Sequence, residues 1–122
     1  MRKQQSNAFG LSHLRVGVTE AFYLGPGRAD LLELIAETGS ISAAGKRMGM
    51  SYKRAWGLVQ ALNEGFGAPL VETSRGGATQ GGALLTPAGA EVLRLYRHME
   101  IVTREAIAAD LAAVAALMGP DV

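Results

Sequence analysis

The chain has 122 residues, of which 48% are hydrophobic and 19% are charged, a composition typical of one globular domain and unlike that of a disordered chain. It has no cysteine, which excludes disulfides, thiol catalysis and cysteine metal sites, and no apolar run approaches the ~18 residues of a membrane span. The net charge of +1 hides an uneven distribution, because residues 40–80 carry five basic and two acidic side chains. A basic middle segment suits a polyanionic partner, although such a segment can also be an ordinary solvated face.

The chain is expected to begin with a loose arm over residues 1–12, which are polar with only scattered apolar side chains. The arm lacks the apolar segment of a secretory signal, so we expect a cytoplasmic protein without a membrane partner. Residues 13–25 then alternate Leu14, Val16 and Val18 with less apolar neighbours. This period of two predicts a short strand.

A first helix is predicted over residues 26–38. Pro26 is favoured at a helix start, Asp30 is expected in the first turn, and Gly39 is a stop signal. One apolar stripe recurs at helical spacing, formed by Leu31, Leu34, Ile35 and Thr38. We therefore expect one side of this helix to face the core.

Two capped helices joined by a glycine follow, which is the pattern of a helix-turn-helix. Ser40 or Ser42 can cap the shorter helix, which is predicted to end at Met48 before Gly49. Ser51 can cap the longer helix, which is predicted to run to about residue 65. Apolar positions define one face of each helix: Ile41, Ala44 and Met48 in the first, and Ala55, Leu58, Val59 and Leu62 in the second. Small side chains at 43–45 permit close approach of the two helices, which leaves four cations outside: Lys46, Arg47, Lys53 and Arg54.

The segments LVETS and ALLT predict two short β segments around the glycine-rich stretch RGGATQGG. Together they predict a β-hairpin with a long tip that contains Arg75, Thr79 and Gln80. Glycine permits close backbone approach to a phosphate, and an arginine can enter a narrow minor groove. The tip is therefore either a DNA-contacting wing or simply a mobile loop until DNA orders it.

A last helix is predicted over residues 87–118, from a Thr86 cap to a stop at Gly119 and Pro120. At ~1.5 Å per residue its length would be ~48 Å, which is more than so small a domain can cover with its own core. Two rows of apolar residues recur along it: Val92, Leu95, Met99, Val102, Ala106, Ala109, Ala113 and Ala116, beside Ile107, Leu111, Val114 and Met118. Pairing with a second copy, antiparallel or parallel, would bury both rows.

The order of elements predicts a fold that is mainly α with a small β-hairpin, a winged helix-turn-helix plus a long C-terminal dimerisation helix. We expect a flexible arm at 1–12, a winged helix-turn-helix DNA-binding domain at 13–86, and the dimerisation helix and tail at 87–122. In such a fold the third helix enters the DNA major groove and the hairpin reaches the backbone or minor groove.

The start of the third helix carries the chemistry that DNA contact requires. The Ser51 hydroxyl and exposed backbone N–H groups can hold a phosphate, while Lys53 or Arg54 can contact a phosphate or a base. Which of the two cations reads a base stays open. The candidate DNA-binding residues are Ser42, Lys46, Arg47, Ser51, Tyr52, Lys53, Arg54, Arg75, Thr79 and Gln80.

Trp56, His13 and His98 are not among these candidates. Trp56 either anchors the third helix in the domain or contacts the sugar-phosphate backbone. His13 and His98 are far apart in sequence, and His98 is expected on the surface of the last helix. No nucleophile, base and orienting group can be named together, so we expect no enzyme, no cofactor and no metal site.

The stretch GSISAAGKRMGMSYKRAWGLVQALN, residues 39–63, resembles the helix-turn-helix of the molybdate-responsive transcriptional regulators, the ModE family. The most telling parts are GSIS, the small-residue pair before Lys46, the SYKRAW start of the third helix, and Asn63. The likeness continues through LVETSRGGATQGGALLTPAGAEVLRLY and covers about residues 13–118. LysR-type regulators share the same general winged architecture.

The resemblance implies a dimeric, sequence-specific DNA-binding protein whose long helix, 87–118, forms part of the dimer interface. By position, the resemblance implies that Ser51, Tyr52, Lys53 and Arg54 contact DNA. It implies that Arg75 and Thr79 contact the DNA backbone. Full-length family members have further β-rich domains that bind the oxyanion, whereas this sequence stops at Val122. We therefore expect no oxyanion site in this chain, and whether molybdate acts through a separate protein stays open.

Our hypothesis is a homodimeric transcriptional regulator of the ModE/LysR-like winged-helix type that binds double-stranded DNA and is linked to molybdate-dependent gene control. The alternative is a dimeric protein-interaction module that modulates another regulator without binding DNA specifically. A preference for particular DNA fragments at moderate salt would distinguish the first from the second.

Overall fold

The computed structural model describes residues 10–74 and 82–119, and it is mostly helical with two small antiparallel hairpins. The elements are β1 (Val16–Gly17), β2 (Tyr23–Leu24), α1 (Pro26–Thr38), α2 (Ile41–Arg47), α3 (Tyr52–Phe66), β3 (Val71–Thr73), β4 (Ala83–Leu85) and α4 (Pro87–Ala116). This order confirms the predicted winged helix-turn-helix with a long last helix. Most of the predicted arm, and the wing residues Arg75, Thr79 and Gln80, lie outside the described residues.

The short strand predicted within residues 13–25 is present as β1, and the chain then folds back on itself so that β1 pairs with β2 in a hairpin. Val16 pairs with Leu24, and the Val18 N–H donates to the Phe22 carbonyl at 2.9 Å to close the turn. Val18 is exposed and Phe22 is buried. Leu14 and Val16 are half-buried between exposed neighbours, as the period of two predicts, but the pattern ends at Val18 because the chain reverses direction there.

The helix boundaries follow the predicted capping signals. Ser40, rather than Ser42, caps α2, since its hydroxyl accepts the N–H three residues later at 3.0 Å. Ser51 caps α3 in the same way, at 3.1 Å. Gly39 and Gly49 have φ angles of 73° and 74°, a region that side-chain-bearing residues rarely adopt. These two glycines end α1 and form the turn between α2 and α3.

The core is built around α1, which touches α2, α3, β4 and α4. The apolar stripe predicted for α1 contains too few residues, because Leu32, which was not part of it, is as fully buried as Leu31 and Ile35. Thr38, expected in the stripe, is only half-buried and donates its hydroxyl to the Leu34 carbonyl at 2.8 Å. A helix covered on more than one side needs apolar residues beyond a single stripe.

Helices α2 and α3 approach closely at a glycine, as the small residues predicted. A Cβ placed on Gly45 would lie 2.9 Å from the Ala55 Cβ, a distance that real side chains essentially never show. Ala44 beside it is fully buried. The crossing of the two helices is therefore set by the absence of side-chain volume at this point.

The first part of α4 belongs to the core. Tyr96 is fully buried, and its hydroxyl donates to the Leu14 carbonyl at 2.7 Å, which ties α4 to the segment before β1. Leu95, a member of the predicted apolar row, is 41% exposed, whereas Leu93, outside that row, packs against the core. Beyond residue 100, only Thr103 and Ile107 of the described α4 residues are even half-buried.

An ionic cluster joins α4 to α1. The Arg97 guanidinium contacts Asp30 and Glu33 of α1, both at 2.8 Å, and Glu100 at 3.1 Å. Burial lowers the pKa of Arg97, but its hydrogen bonds to the three carboxylates outweigh this, so the pKa is raised. Asp30 lies beyond the first turn of α1, contrary to prediction, and its partner is a cation of another helix rather than the α1 N-terminus.

Candidate nucleic-acid interface

The first turn of α3 projects away from the core. Ala55, Val59 and Leu62 are buried at helical spacing on the inner side of α3, so its first residues turn outward. Four predicted contact residues are exposed there: Ser51, Tyr52, Lys53 and Arg54. In the described part of the chain, neither Lys53 nor Arg54 forms an ion pair with a carboxylate.

Trp56 does not anchor α3 in the core. It is 36% exposed and stacks against Tyr52, with ring centroids 6.4 Å apart and an angle of 16° between the planes. The two residues are four apart, so they neighbour each other on the helix surface. The inward position is taken by Ala55, which faces α2. The anchoring interpretation is therefore wrong, and α3 presents an aromatic pair beside its cations.

The α2 residues of the predicted site are also exposed, namely Ser42, Lys46 and Arg47. Arg47 lies 3.5 Å from Glu37, with side-chain exposures of 60% and 49%. A pair this exposed is worth little and is readily exchanged for another partner. Lys46 and Arg47 occupy the last turn of α2, immediately before the glycine turn that leads to Ser51. The cations of α2 and α3 thus flank one turn.

Asn63 fixes α3 to the wing, a role that the sequence did not reveal. Its side-chain oxygen accepts the N–H groups of Leu70 and Val71, at 2.8 and 3.2 Å. Its amide nitrogen donates to the Val71 carbonyl at 3.1 Å. These bonds orient the start of β3 relative to the helix. A half-buried asparagine late in an otherwise amphipathic helix was the available signal, but it did not name these partners.

The base of the wing is held by a second polar residue. Thr86 accepts the Gly89 N–H as the α4 cap at 3.0 Å, and its hydroxyl donates to the Pro69 carbonyl at 2.9 Å. On the other side of the hairpin, the Ser74 hydroxyl accepts the Gly82 N–H at 3.3 Å. The described residues therefore fix where the tip leaves the domain.

The described residues show two further features of the chain. His13 and His98 are exposed, as predicted for His98, and no group of three or more histidine or acidic residues is placed to hold a metal ion in the described ranges. Within residues 10–74 and 82–119, no helix has the length and apolar character needed to cross a membrane.

The family of bacterial regulatory helix-turn-helix proteins of the LysR type matches residues 28–90, which span most of α1, the helix-turn-helix, the wing and the start of α4. This chain belongs to that family. The match covers the surface described above, including the α3 cations and the aromatic pair.

Two curated relatives with molybdenum-related names match this chain, and one of them is a ModE protein, the family that the sequence resembles. The chain is 48% identical over 77 residues to the molybdenum-pterin-binding protein MopB of Rhodobacter capsulatus, covering 63% of this chain and 28% of that protein. It is 36% identical over 93 residues to the DNA-binding transcriptional dual regulator ModE of Escherichia coli K12, covering 76% of this chain and 36% of ModE. This LysR-family chain thus spans about a third of the length of such relatives.

A solved structure of a DNA complex has the same fold. The chain superposes on the protein in the CbnR_DBD–DNA complex with a TM-score of 0.56 and 30% sequence identity, covering 71% of this chain and 95% of that one. The similarity supports the winged helix-turn-helix architecture of this family member.

Proposed function

We propose that this LysR-family chain is a sequence-specific DNA-binding transcriptional regulator that inserts α3 into the major groove. The observation that carries the proposal is the exposed first turn of α3, whose cations have no carboxylate partner among the described residues. A recognition helix must offer such groups to base edges and phosphates. The relatives named as regulators and the neighbouring DNA-complex structure support the same function.

Each predicted contact residue has a role in this proposal. Ser51 uses its oxygen to cap α3, which leaves its hydroxyl hydrogen free to donate to a phosphate. Lys53 and Arg54 divide base and phosphate contact between them, and Tyr52 contacts the backbone. Ser42, Lys46 and Arg47 hold phosphates beside the same groove, and Arg75, Thr79 and Gln80 of the wing reach the flanking backbone or minor groove.

The regulator is proposed to act as a homodimer through the helix at 87–118. Support comes from apolar side chains that are exposed beyond the core, namely Val102 of the first predicted row and Leu111, Val114 and Met118 of the second. An unpartnered apolar row of this kind requires a covering partner. Two-fold symmetry would place two recognition helices about 34 Å apart, one DNA turn, on a roughly palindromic site. Functionally, we assign 1–12 to an arm, 13–86 to DNA binding and 87–122 to dimerisation.

A link to molybdate-dependent gene control in the cytoplasm is part of the proposal, and it rests on the names of the relatives. Titration of the chain with molybdate and tungstate, followed by thermal unfolding and DNA affinity, tests whether this chain responds directly. A change in either quantity would show that this chain itself responds to the oxyanion.

Fluorescence anisotropy with genomic fragments, in moderate salt, tests DNA recognition. We expect at least one preferred fragment and a steep loss of affinity with added salt, because bound cations release counterions from phosphates. Arg54→Ala should weaken binding to the preferred fragment more than to random DNA, by about 1–3 kcal/mol. Arg94→Ala is the matched control, since Arg94 is an exposed arginine of α4 whose described partner is the adjacent Glu91. A wild-type protein without a preferred fragment would instead favour the protein-interaction module.

A further inference from the structure

A cavity of about 240 Å³ lies beside the proposed DNA-contacting surface, bounded by the N-terminal hairpin, the start of α1 and α3. Its basic lining residues are His13, Arg15, Arg28 and Arg54, and no residue that lines it is acidic. Its volume is below the roughly 300–1,000 Å³ of sites for drug-sized ligands, so a small group is the better fit. Three guanidinium groups around one small cavity favour an anion.

The arginines of this cavity are held in place by an aromatic ring. The Arg15 guanidinium carbon lies 3.6 Å from the centre of the Tyr23 ring, and that of Arg28 lies 3.8 Å from it. Two groups this close to one ring must occupy its opposite faces. The arrangement brings two like charges to a single aromatic side chain, and a bound anion would offset their repulsion.

The stacked guanidinium groups keep donors available. Stacking uses the faces of the planar groups and leaves their N–H edges free for an oxyanion. Arg28 donates from Nη1 to the Tyr23 carbonyl at 3.1 Å, but its Nε is shielded from solvent and has no hydrogen-bond partner among the described residues. Arg15 and Arg54 form no ion pair in the described ranges. The site therefore has unused donors next to uncompensated positive charge.

The start of α1 adds a second source of positive potential. Gly25, Pro26 and Gly27 line the cavity, and Gly25 provides no side-chain cap to the 13-residue helix. The first backbone N–H groups of an uncapped helix lack intrahelical partners and favour a negative group. The helix start supplements the three arginines here, and it is the arginines that define the site.

We propose that this cavity, lined by Arg15, Arg28 and Arg54, binds a phosphate-type oxyanion. The two sources of such a group are a backbone phosphate of DNA and free inorganic phosphate. The first source rests on the proposed function, because Arg54 also belongs to the DNA-contacting surface and would extend it towards the N-terminal hairpin. The proposal departs from the sequence-based expectation that this chain has no oxyanion site.

The experiment uses the full chain and three variants at matched ionic strength. Arg15→Gln and Arg28→Gln each remove one cavity charge, and Arg94→Gln is the control that removes an exposed arginine outside the cavity. Circular dichroism establishes which variants fold. Arg15→Gln keeps the test decisive if Arg28→Gln does not fold, because Arg15 has no hydrogen bond to another residue among those described.

Two measurements distinguish the sources. If the source is DNA, each cavity variant lowers the slope of log affinity against log salt by about 1 and weakens preferred and random DNA several-fold alike. If the source is free phosphate, inorganic phosphate raises the melting temperature of the wild type and of Arg94→Gln but not of the cavity variants, with chloride as the ionic control. Either result, or both, supports the site.

The proposal is overturned if wild type and cavity variants agree in both measurements. Failure of the proposed function looks different, since the wild type itself would then show no preferred DNA fragment, while the phosphate measurement would still decide whether the cavity binds an anion.

Discussion

Trp56 lies against Tyr52 on the outer side of α3, with nearly parallel rings whose centroids are 6.4 Å apart. Tyr52 shares the first turn of α3 with Lys53 and Arg54, and Trp56 follows one turn after Tyr52 on the helix that we propose enters the major groove. An exposed aromatic pair has apolar faces suited to sugar rings and thymine methyl groups. Because Trp56 is the only tryptophan of the chain, its fluorescence reports on this surface alone.

We expect the Trp56 emission to change on addition of a preferred DNA fragment. Trp56→Ala should weaken DNA binding while lowering the free energy of unfolding by less than the ~3–5 kcal/mol typical of a core tryptophan, because the side chain is 36% exposed. Urea unfolding and fluorescence anisotropy measure the two effects. A full core-sized loss of stability would restore the anchoring interpretation.

Asn63 is expected to be a stability determinant rather than a DNA contact. Asn63→Leu leaves the backbone groups of Leu70 and Val71 without their side-chain partners, which should cost about 2–3 kcal/mol in urea unfolding. Asn63→Asp keeps the acceptor of two of the bonds and loses the donor of the third, so its loss should be smaller. Equal losses of stability in Asn63→Leu and Asn63→Asp would contradict a stabilising role for the side-chain oxygen as acceptor.

Gly89 lies where α4 comes close to the segment before β3. A Cβ at this position would lie 2.1 Å from the Leu70 carbonyl oxygen, a backbone atom that cannot simply rotate away. Gly89→Ala should therefore destabilise the fold by about 2 kcal/mol or more, measured by thermal unfolding.

Gly57→Ala is the matched control for this prediction. Gly57 is an exposed helical glycine with open space around it, so alanine there should be neutral or stabilising by up to ~1 kcal/mol. If both variants had the same effect, close packing at Gly89 would not be the cause.

We expect the protein to lose stability at alkaline pH because Tyr96 is buried. Burial, followed by the negative charge of Glu100, raises the pKa of Tyr96 above its ordinary value of about 10. The folded state thus holds the phenol proton more tightly than the unfolded chain. The stabilisation that the protonated Tyr96 phenol adds to the free energy of unfolding is complete below about pH 10. It is lost progressively as the pH rises above that value.

The variant Tyr96→Phe should remove this alkaline loss, measured as the free energy of unfolding between pH 8 and pH 11 or so. At neutral pH it should cost about 1 kcal/mol, because the Leu14 carbonyl loses its hydroxyl donor. Tyr52→Phe is the control, since Tyr52 is exposed and should leave the alkaline loss in place. An unchanged pH profile in Tyr96→Phe would assign the loss to another group.

Val114 tests the proposed dimer. It is 58% exposed on α4, so Val114→Asp should leave the fold of the monomer intact and shift the protein towards monomers in sedimentation experiments. Ala112→Asp is the control, because two residues along a helix correspond to nearly opposite sides. Dissociation by both variants would show that added charge, rather than the apolar row, controls assembly.

Local signals in the sequence determined where most elements begin and end. The serines that cap α2 and α3, Pro26, Pro87 and the glycines between helices act within a few residues of themselves, so their effect is readable without a partner. The outward position of Lys53 and Arg54 followed for the same reason, since the period of the helix fixes which side is apolar. The same argument failed for Trp56, which lies at the edge of that face.

Tertiary structure alone decided the features that join residues distant in sequence. Asn63 with Leu70 and Val71, Arg97 with Asp30 and Glu33, and Arg15 with Tyr23 and Arg28 meet only once the chain has folded. No periodicity in the sequence encodes these contacts, because hydrogen-bond geometry and ring stacking depend on how whole elements pack. The sequence therefore predicted a winged helix-turn-helix and its cationic helix, and the packing of the N-terminal hairpin and the start of α1 beside α3 created the arginine cavity.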